Sequence, residues 1–345
     1  MHLLITLLIS IIGWQIMRIL RVPAAALLGP MLFIGAAEIM GLPISTLPNI
    51  VLLAVQLTLG LFVGIRIDRE KVNFLKQGML IPSLLVIGWT IVFTLAPILL
   101  LTYTTNLDLA TILFGATPGG MAEMSIIAMN YNADIAVVSL LQFMRLVMVL
   151  ILVPLIAVKV KAEDKQGGVI ESAAGSKVVE KRDLKVSSQI IGSGLLFGGL
   201  SIYLGFPAGG IIGTSLGVGM ASIYLGKRVA LPGSLLTAAQ LGIGLTVGTH
   251  FRPDTVSAFL SLMIPGILFS ILMVIGAVIL AIILGRLTKW NLSTTLLCTA
   301  PAGVTQMVIV ASDIGVDMVK VTYFHVLRLM TIYLIISQIY QWYLK

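Results

Sequence analysis

Two arginines and one carboxylate stand inside otherwise apolar stretches of this sequence. Arg145 lies near the centre of an apolar segment over 134–158, and Arg328 near the centre of another over 318–343. A charge at the middle of a bilayer-length segment is costly, so it faces a bundle interior or a wet cavity. Helical spacing sets Gln142 on the face of Arg145, and His325 on the face of Arg328. Asp134 and Asp317 precede these arginines by eleven residues, three turns down the same side. Two guanidiniums brought together form a positive pocket suited to a carboxylate or phosphate. The competing reading has each arginine neutralise a buried acid such as Glu123 and lock the fold.

Glu123 belongs to a second constellation. The run Thr117-Pro118-Gly119-Gly120 interrupts an apolar segment over 107–130, and Ala300-Pro301-Ala302-Gly303 interrupts another over 292–313. Proline removes a backbone donor and glycine loosens the chain, so a helix breaks at each place. Exposed backbone at a break survives in a membrane only where protein or water meets it. Half-helix ends are ready-made ion sites. Glu123 follows the first break by about one turn, as a candidate for a proton or a cation, and the equivalent place after the second break holds Gln306. The bland alternative is a structural kink with a satisfied polar pair.

The elements that position these groups follow from composition. Of 345 residues, 58% are hydrophobic and only 10% are charged. A soluble domain carries about a quarter charged residues, so most of this surface must meet lipid. Six apolar segments precede a polar stretch and six follow it: roughly 3–20, 24–40, 48–66, 77–101, 107–130 and 134–158, then 187–204, 207–225, 231–249, 256–285, 292–313 and 318–343. Several reach the ~20 residues that a crossing helix needs. The polar stretch over 159–185, with seven basic residues, five acids and Gly167-Gly168, reads as a flexible tether. The divisions are therefore a membrane repeat over 1–158, a cytoplasmic linker over 159–186 and a second membrane repeat over 187–345.

The halves read as copies. Pro23, Gly29, Pro48, Gln56, Gly60 and Gly64 align at one offset with Pro207, Gly213, Pro232, Gln240, Gly244 and Gly248. After a one-residue slip, Pro118, Gly120, Met124, Asp134 and Arg145 align with Pro301, Gly303, Met307, Asp317 and Arg328. Unrelated apolar halves do not keep such residues in register. Arg18/Arg21, Arg66/Arg69/Lys71/Lys76 and the basic linker share one side if five segments cross and the broken one re-enters. An odd number of crossings inverts one half relative to the other. The expected fold is thus all-α, integral to a membrane, with two inverted repeats of about five crossings plus a broken or re-entrant segment.

Several functions find no support. No Walker loop is present, so ATP hydrolysis is not expected. His2, His250 and His325 do not cluster, and Cys298 is the sole cysteine, so neither a metal set nor a disulfide is expected. No Ser/His/Asp grouping points to an enzyme, and no cofactor is implied. The net charge of +8 sits in short polar gaps, which fits cytoplasmic loops rather than a nucleic-acid face. The apolar run at residues 3–12 lacks a basic region before it and continues to Met17, so it reads as a mature helix rather than a leader. The glycines of 192–219 and the 16 methionines read as packing surfaces.

The runs Gly29-Pro30, Gln56-Leu57-Thr58-Leu59-Gly60-Leu61-Phe62-Val63-Gly64 and Ala116-Thr117-Pro118-Gly119-Gly120-Met121-Ala122-Glu123-Met124 resemble the membrane AbrB duplication family. The resemblance covers nearly the whole chain. It implies a multi-pass protein of a bacterial inner membrane, and family members carry labels of ammonia monooxygenase or regulator of gene expression. The stretch Gly64-Ile65-Arg66-Ile67-Asp68-Arg69-Glu70 is also similar to its counterpart in cation/proton antiporters and their anion-transporter relatives.

Together these features lead to one expectation with two rivals. The first is a secondary transporter of a small organic anion, driven by a proton or sodium gradient, with an exported cation as the alternative cargo. Arg145, Arg328, Gln142, His325 and Gln306 would bind substrate. Glu123, Asp134 and Asp317 would handle the coupling ion, and Pro118, Gly119, Gly120, Pro301 and Gly303 would open the backbone. The rivals are a membrane-embedded regulator that binds a partner through the linker, and a metal-dependent oxygenase. The expected partners are the lipid bilayer and a small solute or ion, without nucleic acid; a homo-oligomer stays open.

Overall fold

The computed structural model describes residues 2–22, 24–163, 184–206, 209–227 and 229–343. All regular elements among them are helical. In chain order they are α1 (His2–Ile19), α2 (Ala25–Ile39), α3 (Asn49–Gly64), α4 (Arg69–Phe74), a π-helical turn (Leu75–Met79), α5 (Leu80–Thr104), α6 (Leu109–Ala116), α7 (Met121–Met129) and α8 (Ile135–Glu163). Then come α9 (Leu184–Tyr203), α10 (Gly209–Leu225), α11 (Gly233–Gly248), α12 (Pro253–Thr288), α13 (Leu292–Thr299), α14 (Val304–Ile314) and α15 (Met318–Tyr343). The central part of the expected linker, 164–183, lies outside the described residues.

Among the described residues, five helices are long and apolar enough to cross a membrane: His2–Ile19, Leu80–Thr104, Ile135–Val160, Lys185–Tyr203 and Phe259–Thr288. Four shorter apolar helices, α2, α3, α10 and α11, accompany them. Ile19, Leu80, Val92, Leu155, Leu196 and Ile264 present bare aliphatic side chains outward, as a lipid-facing surface does. One element escaped the sequence reading. The polar run after α3 was expected as a loop, yet Arg69–Met79 coils into α4 and the π-helical turn before α5 begins.

The helices pack as two groups. Helices α1–α3 and α9–α11 form one, and α5–α8 with α12–α15 form the other. Within the first group the halves interlock, because α2 packs on α11 and α3 packs on α10. Glycine makes both approaches possible. A Cβ on Gly60 would stand 2.7 Å from the Ile211 carbonyl oxygen, and one on Gly244 would collide with the carbonyl oxygen of Leu27. The groups meet where α11 lies against α7 and α8.

Each broken segment folds back as a helical hairpin. Along α8, the Asp134 amide donates to Thr111 Oγ1 at 2.8 Å, Ser139 and Ser125 hydroxyls bond at 2.7 Å, and Gln142 Nε2 donates to the Phe114 carbonyl at 2.7 Å. Thus α6 climbs beside α8 from its N-terminal end, and α7 descends to the same end. The second hairpin lies differently on α8: Ser293 Oγ, at the start of α13, donates to the Ala157 carbonyl at 3.2 Å. Positions 134 and 157 are about 34 Å apart along a helix, close to a bilayer's hydrocarbon thickness. The two hairpins therefore insert from opposite ends of α8, and their tips meet part-way along it.

Candidate functional site

The first tip lies between Thr117, which ends α6, and Gly120, which caps α7. A helix ends with carbonyl oxygens that lack intrahelical partners and carry the negative end of its dipole. Arg145 supplies those partners. Its Nη1 donates to the Thr117 carbonyl at 3.0 Å and its Nη2 to the Gly119 carbonyl at 2.8 Å. Gln142 Nε2 donates to Thr117 as well, at 2.9 Å. The second tip repeats the arrangement: Arg328 Nη1 donates to Ala300 at 2.6 Å and Nη2 to Ala302 at 2.7 Å. His325 turns Nδ1 to the Val321 carbonyl of its own helix, at 2.8 Å.

This arrangement corrects one expectation. Neither arginine forms an ion pair with a carboxylate among the described residues. Both are buried, and each neutralises a helix end rather than an acid. Each Nε, like Gln142 Oε1, is buried without a hydrogen-bond partner.

Asp134 and Asp317 stand apart from the tips. Asp134 Oδ1 accepts from the amides of Ala136 and Val137 at 3.0 and 3.1 Å, so it caps the N-terminus of α8. Asp317 Oδ1 accepts from Val319 and Lys320 at 3.0 and 3.2 Å, and its other oxygen pairs with Lys320 Nζ at 3.0 Å. Both side chains are exposed at helix starts, far from the tips.

The tips border one cavity of about 80 Å³, which has room for several waters. Gly119–Glu123 line it from the first tip, Gly303, Val304 and Gln306 from the second, and Arg145 from α8. Leu27, Leu59, Arg66, Leu236 and Gln240 close it from the other helix group. The cavity therefore sits on the seam between the groups and receives the N-termini of α7 and α14, both positive dipole ends. Glu123, third in α7, folds its carboxylate over Gly120, where a Cβ would strike Oε2. Gln306, third in α14, lies over Gly303 in the same way. Acid or amide at this place, reaching back to the cap, is a known way of closing a helix start. Arg66 and Glu123 attract each other across the cavity.

A smaller void of about 30 Å³ lies behind the tips, bounded by Trp89, Phe93, Pro118, Pro301 and Arg328. Arg66 is the cavity residue that sequence reasoning left among the loop charges. The signal was its place just beyond the Gln56, Gly60, Gly64 series of α3. Among the described residues no group of three or more His, Cys, Asp or Glu is placed to hold a metal.

The fold and the seam cavity define a membrane-type helical protein. Residues 1–161 and 165–344 match the AbrB family, described as transition state regulatory protein AbrB, and the chain belongs to that family. It is similar to the protein YhjN of Bacillus subtilis (strain 168), 24% identical over 96% of this chain and 87% of that protein. It is also similar to the "Putative regulator AbrB" of Escherichia coli (strain K12), 26% identical over 91% of this chain and 88% of that protein.

Proposed function

We propose that this chain is a secondary transporter of a small organic anion in a bacterial cytoplasmic membrane, driven by a proton or sodium gradient. One observation carries the proposal: two hairpin tips, inserted from opposite ends of α8, border one polar cavity between two helix groups. Broken helices around a midplane cavity are a recurring carrier plan, in which one group rocks against the other. The duplication read from the sequence supports this, as do the matched contacts of Arg145 and Arg328. On this reading the halves are inverted repeats. The amide ends of α7 and α14, with Arg66, favour an anion over a cation.

The roles shift from those first expected. Arg145 and Arg328 hold the tips in shape and lend their field, while Arg66, Gln240 and Gln306 touch the cargo. Counterflow in proteoliposomes tests this. Vesicles loaded with a mixture of acetate, lactate, succinate and citrate should take up at least one of them in labelled form. Arg66→Ala should abolish that uptake. Protein that moves none of the four, and none of a wider set of organic anions, contradicts the reading. A regulator without transport would then stand.

A further inference from the structure

We infer that the coupling ion of this carrier is a proton held at Glu123, and that Arg145 and Arg328 fill the sites where a sodium ion would sit. The inference rests on the transport reading above and narrows it from two ions to one.

Carriers with broken helices bind sodium through the carbonyl ends of half-helices and the unwound backbone beside them. In this chain those oxygens are taken. The Thr117 carbonyl has two lone pairs and accepts from both Gln142 and Arg145. Gly119 accepts from Arg145, and Ala300 and Ala302 accept from Arg328. Each guanidinium is a permanent cation at the negative end of a half-helix. A sodium ion placed there would have to displace those donors and withstand their charge. The chain thus carries its helix-end cations covalently, and they cannot exchange.

The opposite side of the tips holds a group that can. Glu123 is the acid on the cavity wall, half-buried and within reach of water there. Arg66 faces it from the end of α3, Arg145 from α8 and the Tyr333 phenol from α15, and the amides of Gln240 and Gln306 face it from α11 and α14. Its carboxylate lies over Gly120 at the start of α7, the place where an anionic cargo would bind. Two negative charges compete for that helix end. A proton taken up by Glu123 removes one of them, so cargo and proton bind together and cross together. At the matching place Gln306 cannot take a proton, so the coupling is one proton per cargo.

Carbodiimide labelling tests this, because the reagent adds to a protonated carboxyl and not to a carboxylate. The purified full chain in detergent is treated with dicyclohexylcarbodiimide across a pH series, in sodium chloride or in choline chloride of equal strength. Peptide mass spectrometry then locates the adduct. The inference predicts an adduct on Glu123 that declines as pH rises and is the same in both salts. Glu123→Gln should lose the adduct and keep its melting temperature. Protection by sodium, or no adduct on Glu123 at any pH, overturns the inference. Labelling reads the proton whether or not solute crosses, so its failure is distinct from a failure of the counterflow assay.

Discussion

The guanidinium of Arg145 reaches from the middle of α8 to the carbonyl oxygen of Thr117, 3.0 Å away. That bond joins the tip of one hairpin to the helix that carries it. Removing the side chain takes the donor from the Gly119 carbonyl inside the bundle and leaves Thr117 with Gln142 and the Gly119 amide alone. We predict that Arg145→Ala costs about 3 kcal/mol or more, read as a lowered thermal midpoint in detergent. Arg145→Lys should recover only part, because an ammonium lacks the fork that spans two carbonyls. An unchanged midpoint in Arg145→Ala would show that the tip does not depend on this contact.

The same variant should gain a response that the wild type lacks. With the guanidinium gone, the freed Gly119 carbonyl, beside a Thr117 carbonyl that still accepts from Gln142, forms a cation site at a helix end. Sodium chloride should then raise the thermal midpoint of Arg145→Ala above its value in choline chloride. The wild type should melt alike in both salts. Equal midpoints for the variant would mean that the arginine does not occupy a cation's place.

Gly120 and Gly303 leave room for the side chains folded over them. Gly120→Ala should push the Glu123 carboxylate off the start of α7, at a cost of roughly 1–3 kcal/mol. Counterflow should fall by at least an order of magnitude. Retained counterflow would mean that the carboxylate need not lie there.

Asp134 and Asp317 should behave as helix caps. Asp134→Ala should cost about 1 kcal/mol of stability and leave counterflow intact once expression is matched. Loss of transport at full stability would restore the coupling role first read for it.

Sequence alone revealed where the helices break, because Pro118 with Gly119-Gly120, and Pro301 with Gly303, leave little else for the backbone to do. It also revealed that Arg145 and Arg328 must be satisfied inside protein. It did not reveal by what. Their partners are carbonyl oxygens, which every residue carries and no letter of the sequence marks. Eleven-residue spacing aligns Asp134 and Asp317 with the arginines, and a cap at the start of a helix has the same spacing, so the sequence does not separate the two. Arg66 was hidden among basic neighbours that fit a cytoplasmic loop, and only the seam between the helix groups brings it to Glu123. The π-helical turn before α5 has no sequence mark that we can name.

The central claim is that one cavity at the meeting of the tips is reached from both faces of the membrane. A single cysteine at Leu236, on its wall, with Cys298→Ser as background, reports this directly. In sealed proteoliposomes of known orientation, a membrane-impermeant thiol reagent should label Leu236→Cys when added outside, and also when trapped inside. Labelling from one face alone, with and without the carboxylates used for counterflow, would describe a fixed pocket and contradict transport.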